Sequence, residues 1–500
     1  MRCLTKQGNQ MLQIELSSQE KAQTQLMKLP LYLLSLFLSI STFVHGERPN
    51  ILMIAVDDLR PQLSSYGQSQ IQSPNIDKLA ASGTRFNRAY CMVPTCGASR
   101  ASLMSGVRPS ASRFVGYTAR IDEDAPEITP LHLHLKNNGY NTASLGKILH
   151  YPADMEHGWT QSPWRPKRDF KGSSEPIVGW SPPTDLDALT EQSRNHRLPF
   201  ASYDVPDDTL GDGQVAAEAI KQLKTLSQQE APFFLAVGFF KPHLPFNAPK
   251  TYWDIYDDTP IDVPDNYSIP EDAPKAAIHN FGELRNYAGV PNKGPVSDQM
   301  AKTLIRGYYA SVSFTDAQVG RVLEELEQSG LSENTIVILW GDHGWNLGEH
   351  SLWAKHCTFE NSMRVPLIIR TPQSESAPQG QTTNTLTEFI DIYPTLCELA
   401  GIDAPKHLDG QSLAPVLKDP DSTGKGYAIG RFSNGDTIRS NRWRYTEYTT
   451  KEDRGDGRIV SRMLYDHDKD PEENRNLANI PEYKPTIEKL SRQLNQLKGR

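Results

Sequence analysis

The chain has 500 residues, 37% of them hydrophobic and 22% charged, and its 52 Lys and Arg against 60 Asp and Glu leave a net charge of −8. That is the profile of a globular protein with a large core, and it excludes collagenous, disordered and disulfide-framework classes. No run of five or more Lys or Arg is present, so the chain lacks the basic stretches that bind nucleic acid or an anionic membrane, and an anionic substrate must be met by cations gathered locally.

In chain order, residues 29–44 form an uncharged, mostly apolar run of 16 residues, after Lys28 and before the small-residue segment Val44-His45-Gly46. Residues 1–46 therefore read as a signal peptide for export to the periplasm or the exterior, with Met27 as a second candidate start. The run is shorter than the roughly 20 residues that span a bilayer, so no stable membrane insertion is expected. Loss of the leader removes Cys3 and leaves Cys91, Cys96, Cys357 and Cys397, which are too scattered for a disulfide framework.

Apolar, β-rich runs at 51–56, 142–145, 233–239, 336–340 and 366–369 predict strands buried on both faces of a parallel sheet. Helices are predicted at 76–82, after Ala98, and over 308–328, where Val312, Val319, Val322, Leu323 and Leu326 make a core-facing stripe. The alternation predicts an α/β sandwich for a catalytic body over 47–420. Two stretches, 159–206 and 249–295, break this rhythm and read either as walls of a functional site or as plain insertions. Strands at 441–448 and 458–465 and a closing helix at 481–497 predict a small α+β C-terminal subdomain over 421–500.

Ligands of open α/β sheets sit beyond the C-terminal strand ends. Three predicted strands end there in titratable groups: Asp57-Asp58, Lys241-Pro242-His243, and Asp342-His343. Three carboxylates on one rim repel one another and raise their own pKa values, and a divalent cation resolves the conflict. Oxygen-rich ligation favours Ca²⁺ or Mg²⁺ over Zn²⁺, with His343 the one departure. Cys96 opens the segment Cys96-Gly97-Ala98-Ser99-Arg100, at the start of a predicted helix whose N–H groups and Arg100 face developing negative charge. Cys91 has no arginine at the matching offset and reads as structural, and Asp316 reads as a solvated charge on the long helix.

The segment from Cys96 to Gly106 resembles the signature of the type I, formylglycine-dependent sulfatases, C-x-P-x-R, with Ala98 where proline is expected. Further blocks match in order: Asp57-Asp58-Leu59-Arg60, Arg108-Pro109, Gly146-Lys147-Ile148-Leu149-His150, Lys241 to Phe246, Gly341 to Trp345, Leu347 to His350, and Trp353 to His356. Asp391 to Thr395 and Leu464-Tyr465-Asp466 with Asp470-Pro471 extend the match, and His343 places it nearest the iduronate-2-sulfatase branch. The resemblance implies an alkaline-phosphatase-like α/β sandwich and Ca²⁺ held by Asp57, Asp58, Cys96, Asp342 and His343. It also implies oxidation of Cys96 to formylglycine by a formylglycine-generating or equivalent maturation enzyme. Arg100 and Lys147 would stabilise the formylglycine hydrate and sulfate oxygens, and His150 would take the proton when sulfate leaves. His243 would protonate the leaving sugar oxygen, and Lys355 would bind a sulfate oxygen. Trp345 and His350 are candidates for the wall of the sugar pocket.

The expected function is removal of sulfate from a sulfated polysaccharide or its oligosaccharides at a chain end, from a 2-sulfated uronic acid or an algal glycan. Two rivals stand beside it: a formylglycine-dependent phosphodiesterase or phosphonate hydrolase, and an inactive glycan-binding homologue in which Cys96 is never oxidised.

Overall fold

The apolar runs become the centre of a seven-stranded sheet in a computed structural model that describes residues 48–166, 198–280, 282–372, 380–450 and 457–498. The leader and most of the 159–206 stretch lie outside the described residues. The strands are β1 (Asn50–Val56), β2 (Thr84–Phe86), β3 (Asn141–Gly146), β4 (Phe233–Phe239), β5 (Thr335–Gly341), β6 (Leu367–Arg370) and β7 (Gln381–Thr383), in the order β7-β2-β6-β5-β1-β4-β3. Strands β3, β4, β1 and β5 run parallel, as the sequence predicts. The run at 366–369 does not: β6 pairs antiparallel with both β5 and β2. A parallel return needs a crossover to the far end of the sheet. Here the segment after β5 stays at the rim where β5 ends, and Leu367 re-enters opposite Trp340.

Alternation along β1 divides two cores. Leu52, Ile54 and Val56 face the long helices α3 (Gly211–Leu226) and α4 (Asp298–Gln328), with Val215, Val312, Val319, Val322 and Leu326 in the same apolar cluster. Ile51, Met53 and Ala55 face the other way, toward Ala98 and Leu103 of α2 (Cys96–Ser105) and Ile392 and Leu396 of α5 (Ile392–Leu399). The six β1 residues from Ile51 to Val56 are fully buried, and each large aliphatic contributes about 1.5–3 kcal/mol relative to an exposed position. Helix α4 begins at Asp298, well before the predicted start, because Ser297 caps it by accepting the Met300 N–H and Ala301, Leu304 and Ile305 extend the buried stripe. Among the described residues no helix is long and apolar enough to cross a membrane.

Asp316 is a correction. It is 2% exposed, with Oδ1 accepting the Ile76 N–H at 2.7 Å and Oδ2 the Asn75 N–H at 3.1 Å. Asp316 thus receives the first N–H groups of α1 (Pro74–Ser82), whose own Ser73 makes no capping bond. Burial pushes its carboxyl up to about 6 against the pull of those donors.

The C-terminal region is a four-stranded antiparallel sheet, β8 (Tyr427–Phe432), β9 (Gly435–Ser440), β10 (Trp443–Thr449) and β11 (Ile459–Asp466), in chain order. Leu490, Leu494 and Leu497 of α6 (Lys484–Lys498) join the apolar cluster of Ile438, Tyr445 and Leu464. The sequence reading finds β10, β11 and α6 but not β8 and β9, whose Gly, Asp and Arg content hides the alternation. Buried ion pairs tie this sheet to the body through Glu360, which Arg439 and Arg444 both reach and whose N–H donates to Glu473, itself 2.7 Å from Arg444 Nε. Arg108, Asp391 and Asp466, all in motif blocks, are struts: Arg108 grips Glu388 with two bonds of 2.6 Å, Asp391 receives the Glu388 N–H at 2.8 Å, and Asp466 pairs with Arg442.

Replacing Asp316 with Ala leaves the start of α1 without its acceptor, and the expected loss is about 1–2 kcal/mol, the range of a removed cap. Calorimetry should record a lower unfolding temperature for Asp316→Ala.

Candidate active site

Strand register assembles the site. Val56 lies opposite Phe239 on one side and Gly341 on the other, so the residues that follow meet on one rim. The Asp57 N–H donates to the Phe239 carbonyl at 3.2 Å and the Asp342 N–H to the Val56 carbonyl at 3.3 Å. Asp58 is left-handed, with φ of 62°, a conformation that costs a residue other than glycine on the order of 1 kcal/mol. Its N–H donates to Asp342 Oδ1 at 2.9 Å and its carbonyl accepts from the Tyr308 hydroxyl at 2.9 Å, which hold the turn. The turn directs both carboxylates into one space.

Helix α2 brings Cys96 to the same place. A Cβ on Gly97 would stand 2.0 Å from the Tyr117 carbonyl oxygen, so only glycine allows the first turn to pass there. Cys96 Sγ is 3.3 Å from His343 Nε2 and 3.7 Å from Lys355 Nζ. One ligand atom from each of Asp57, Asp58, Cys96 and His343 lies within 4.8 Å of the others, and all four residues are buried. His343 Nδ1 is 3.0 Å from the Gly344 carbonyl. A proton on Nδ1 directs the Nε2 lone pair into the cluster, as in a metal-binding histidine. Four of the five sequence-predicted metal ligands thus form one cluster. Asp342 flanks it, its Oδ2 accepting from Arg100 Nε at 2.9 Å.

Three cations face the three carboxylates. Arg100 Nη2 reaches Asp57 at 3.1 Å, and its Nη1 donates to the Lys147 and Ile148 carbonyls, so this guanidinium is spent on the rim itself. Lys147 pairs with Asp57, and Lys355 Nζ lies 3.0 Å from Asp58. Although burial opposes it, Lys147 and Arg100 hold the Asp57 carboxyl well below the usual range. At Asp58 burial outweighs Lys355 and pushes the carboxyl well above it. Burial, with Asp57 alongside, pushes the Cys96 thiol up to about 12.

His243 and Lys355 lie together. His243 Nδ1 is 2.6 Å from the Leu244 carbonyl, and Nε2 is 3.1 Å from Glu283 Oε1 and 3.8 Å from Asp58 Oδ2. Lys355 Nζ is 3.2 Å from the same Glu283 oxygen and 5.0 Å over the Trp345 ring. Lys355 and His243 hold Glu283 well below the usual carboxylate range despite its burial. Glu283 escaped the sequence reading: it lies in the 249–295 stretch, which has no periodicity or motif to mark it. Arg165 escaped too; it donates to the Gly146, Leu149 and His150 carbonyls and holds the loop that carries Lys147 and His150. Asp212 accepts the Phe240 and Lys241 N–H groups at 2.8 Å, and Lys241 Nζ donates to the His243 and Pro245 carbonyls, which fixes the His243 turn. Burial, with Lys147 nearby, pushes the His150 imidazole down to about 3, and its ring meets Tyr151 edge-on at 4.9 Å. Trp345 lies beneath Lys355, whereas His350 turns to the Glu472 carbonyl at 2.8 Å and lines a different cleft.

The family model described as Sulfatase matches residues 49–402, and that of N-sulphoglucosamine sulphohydrolase, C-terminal, matches residues 348–500. The chain is 33% identical over 390 residues to Iduronate 2-sulfatase of Mus musculus, covering 71% of this chain and 69% of that protein. It is 32% identical over 464 residues to a Sulfatase of Formosa agariphila, covering 89% and 86%. A solved structure in complex with its substrate D-glucosamine-2-N,6-O-disulfate superposes with a TM-score of 0.71 at 22% identity, over 90% of this chain and 98% of that one. Phosphonate monoester hydrolase of Agrobacterium radiobacter superposes with a TM-score of 0.69 at 24% identity, over 90% and 96%. At these identities the two structures share the fold.

A Cβ at Gly238 would stand 2.1 Å from the Lys147 carbonyl oxygen, so Gly238→Ala must displace the strand end that carries Lys147. Misplacement by about 1 Å costs on the order of 10²-fold in rate. Turnover should fall by that order while circular dichroism stays that of the native protein.

Proposed function

The chain belongs to the sulfatase family and is a sulfuric ester hydrolase, and on that premise we propose that it desulfates a sulfated polysaccharide or its oligosaccharides from a chain end, using formylglycine at residue 96 and Ca²⁺. The observation that carries this reading is Cys96 at the first turn of α2, clustered within 4.8 Å with Asp57, Asp58 and His343 and flanked by Lys355. The iduronate relative supports a 2-sulfated uronic acid as the unit attacked; an algal glycan is the alternative. The reading includes export through a leader at residues 1–46, a catalytic body over 47–420 and a C-terminal subdomain over 421–500.

The donor set fits a hard divalent cation: carboxylate oxygens of Asp57 and Asp58, with Asp342 beside them, and one imidazole lone pair from His343. Held by these residues, such an ion would offset the rim's negative charge and supply Lewis-acid polarisation of a sulfate oxygen. Hydrated formylglycine supplies one hydroxyl to attack sulfur and a second whose deprotonation expels sulfate. Ala98 in place of proline is compatible with the helix start, since it is the third residue of α2, within the first turn, where N–H groups have no intrahelical partner.

The remaining roles belong to the chain's own side chains. With Nδ1 donating to the Leu244 carbonyl, His243 delivers a proton from Nε2 to the sugar oxygen as its bond to sulfur breaks. Glu283 holds that ring and steadies Lys355 beside the leaving group. Lys147 stands by the reacting centre, and His150 takes the proton released when sulfate leaves. Arg100 keeps Asp57 and Asp342 in register.

Peptide mass spectrometry of active protein should find residue 96 as the aldehyde, and metal analysis should find Ca²⁺ without Zn²⁺. Cys96→Ser should remain folded and lose turnover; full activity in that variant rejects the formylglycine reading. Faster hydrolysis of an aryl phosphonate than of an aryl sulfate would favour the phosphonate hydrolase alternative.

A sugar alkoxide needs a proton on leaving and a nitrophenolate does not. His243→Ala should therefore cost about 10²- to 10⁴-fold in kcat/KM on a sulfated sugar and much less on 4-nitrophenyl sulfate. Equal losses on the two substrates would move the general-acid role to another residue.

A further inference from the structure

Two clefts open near the rim, and their charge separates them. The first, about 610 Å³, is lined by Asp262, Asp265, Glu349, Glu360, Glu472 and Glu473 together with Arg60 and Arg364; Arg60 pairs with Glu349 and Arg444 with Glu360 and Glu473, and the carboxylates in excess of those cations disfavour a polyanion. The second, about 530 Å³, runs between the 275–280 stretch, the turn at 356–358 and the edge of the C-terminal sheet. No carboxylate lines it among the described residues, and Lys275 stands exposed along it. An anionic glycan meets less repulsion there than in the first cleft.

The wall of the groove adjoins the carboxylate cluster: His279 and His356 both lie within electrostatic reach of Glu283, and His356 also of Lys355 and His343. His356 follows Lys355 directly, and the His279 ring lies 6.2 Å from His356 and bonds to the Lys355 backbone. Ala277, Cys357 and Tyr448 line its floor and pack on Leu352, Phe359, Met463 and Tyr465 in one small apolar cluster, so the 275–280 stretch and the C-terminal sheet are packed as one surface. The Tyr448 hydroxyl lies 2.9 Å from Thr358 Oγ1 and pins the turn to the sheet. On the wall, His356 and Phe432 stack at 5.3 Å and 22° and are both half-buried. A fixed, partly exposed pair of flat rings beside hydroxyl and amide groups has the make-up of a carbohydrate platform: ring faces take the apolar side of a pyranose while polar groups take its hydroxyls.

We propose that this groove is the subsite for the sugar next to the one that bears the scissile sulfate, with its ring against Phe432 and His356 and its anionic substituent toward Lys275. The proposal rests on the sulfated-glycan reading above and adds the site's reach beyond a single sugar.

The test uses the full mature chain and two substrates: 4-nitrophenyl sulfate, and whichever tetrasaccharide in a panel of sulfated glycosaminoglycan and algal oligosaccharides is cleaved fastest. Phe432→Ala and Lys275→Glu should each lower the ratio of kcat/KM, tetrasaccharide over aryl sulfate, by about tenfold. Asp262→Ala, in the acidic cleft, should keep the wild-type ratio. Unchanged ratios in the two groove variants, or a fall confined to Asp262→Ala, overturn the proposal. So does a wild-type enzyme that cleaves the aryl sulfate but no tetrasaccharide. A wild type inert toward aryl sulfate as well overturns the catalytic reading and the groove with it.

Discussion

Three carboxylates buried on one rim govern the rest of this structure. Two unit charges 4 Å apart interact by about 4 kcal/mol at an effective dielectric constant of 20, so Asp57, Asp58 and Asp342 cannot share a dry space without compensation. Arg100, Lys147 and Lys355 supply it from three separate parts of the chain. Each cation then needs its own scaffold. Arg100 is set by α2, whose first turn passes under Tyr117 only because residue 97 is glycine. Lys147 is set by the close approach of β3 to Gly238 and by Arg165. Lys355 is set by Trp345 beneath it and by left-handed Ala354 and His356 on either side.

The same constraint explains the unusual path after β5. Residues 342–363 stay at the rim because they must present Asp342, His343 and Lys355 to the carboxylates of β1. The chain therefore enters β6 from the rim and runs antiparallel. Near the end of the 342–363 segment lies Glu360, which Arg439 and Arg444 of the C-terminal sheet grip. The C-terminal sheet is thus anchored to the active-site loop, and the groove between them has a packed floor.

At the bottom of the site three cations balance three carboxylates, and Glu283 adds a further acid beside His243 and Lys355. The Glu283 carboxylate, 3.1 Å from His243 Nε2, fixes the orientation of that imidazole. Acidic groups elsewhere gather in the separate cleft near Glu349 and Glu472.

The sequence by itself determined the buried strands, the helix opening at Cys96 and the strand-end groups, because each signal is local: an apolar run, a turn, a titratable residue at its end. The ordered motif blocks also marked Lys147, His150, His243 and Lys355, and the structure brings all four to the rim or its edge. Only the tertiary structure decided which acid sits beside His243, since Glu283 reaches Lys355 across 72 residues of chain without a pattern. It likewise decided that Asp316 is the acceptor for another helix's first turn and not a solvated charge, and that β6 turns back. It set the struts Arg108, Asp391 and Asp466 apart from the residues clustered at the rim within one family pattern. The physical reason is common to these cases: a side chain's role follows from what packs against it, and those partners come from sequence separations as large as the 297 residues between Lys355 and Asp58, which no periodicity or spacing records.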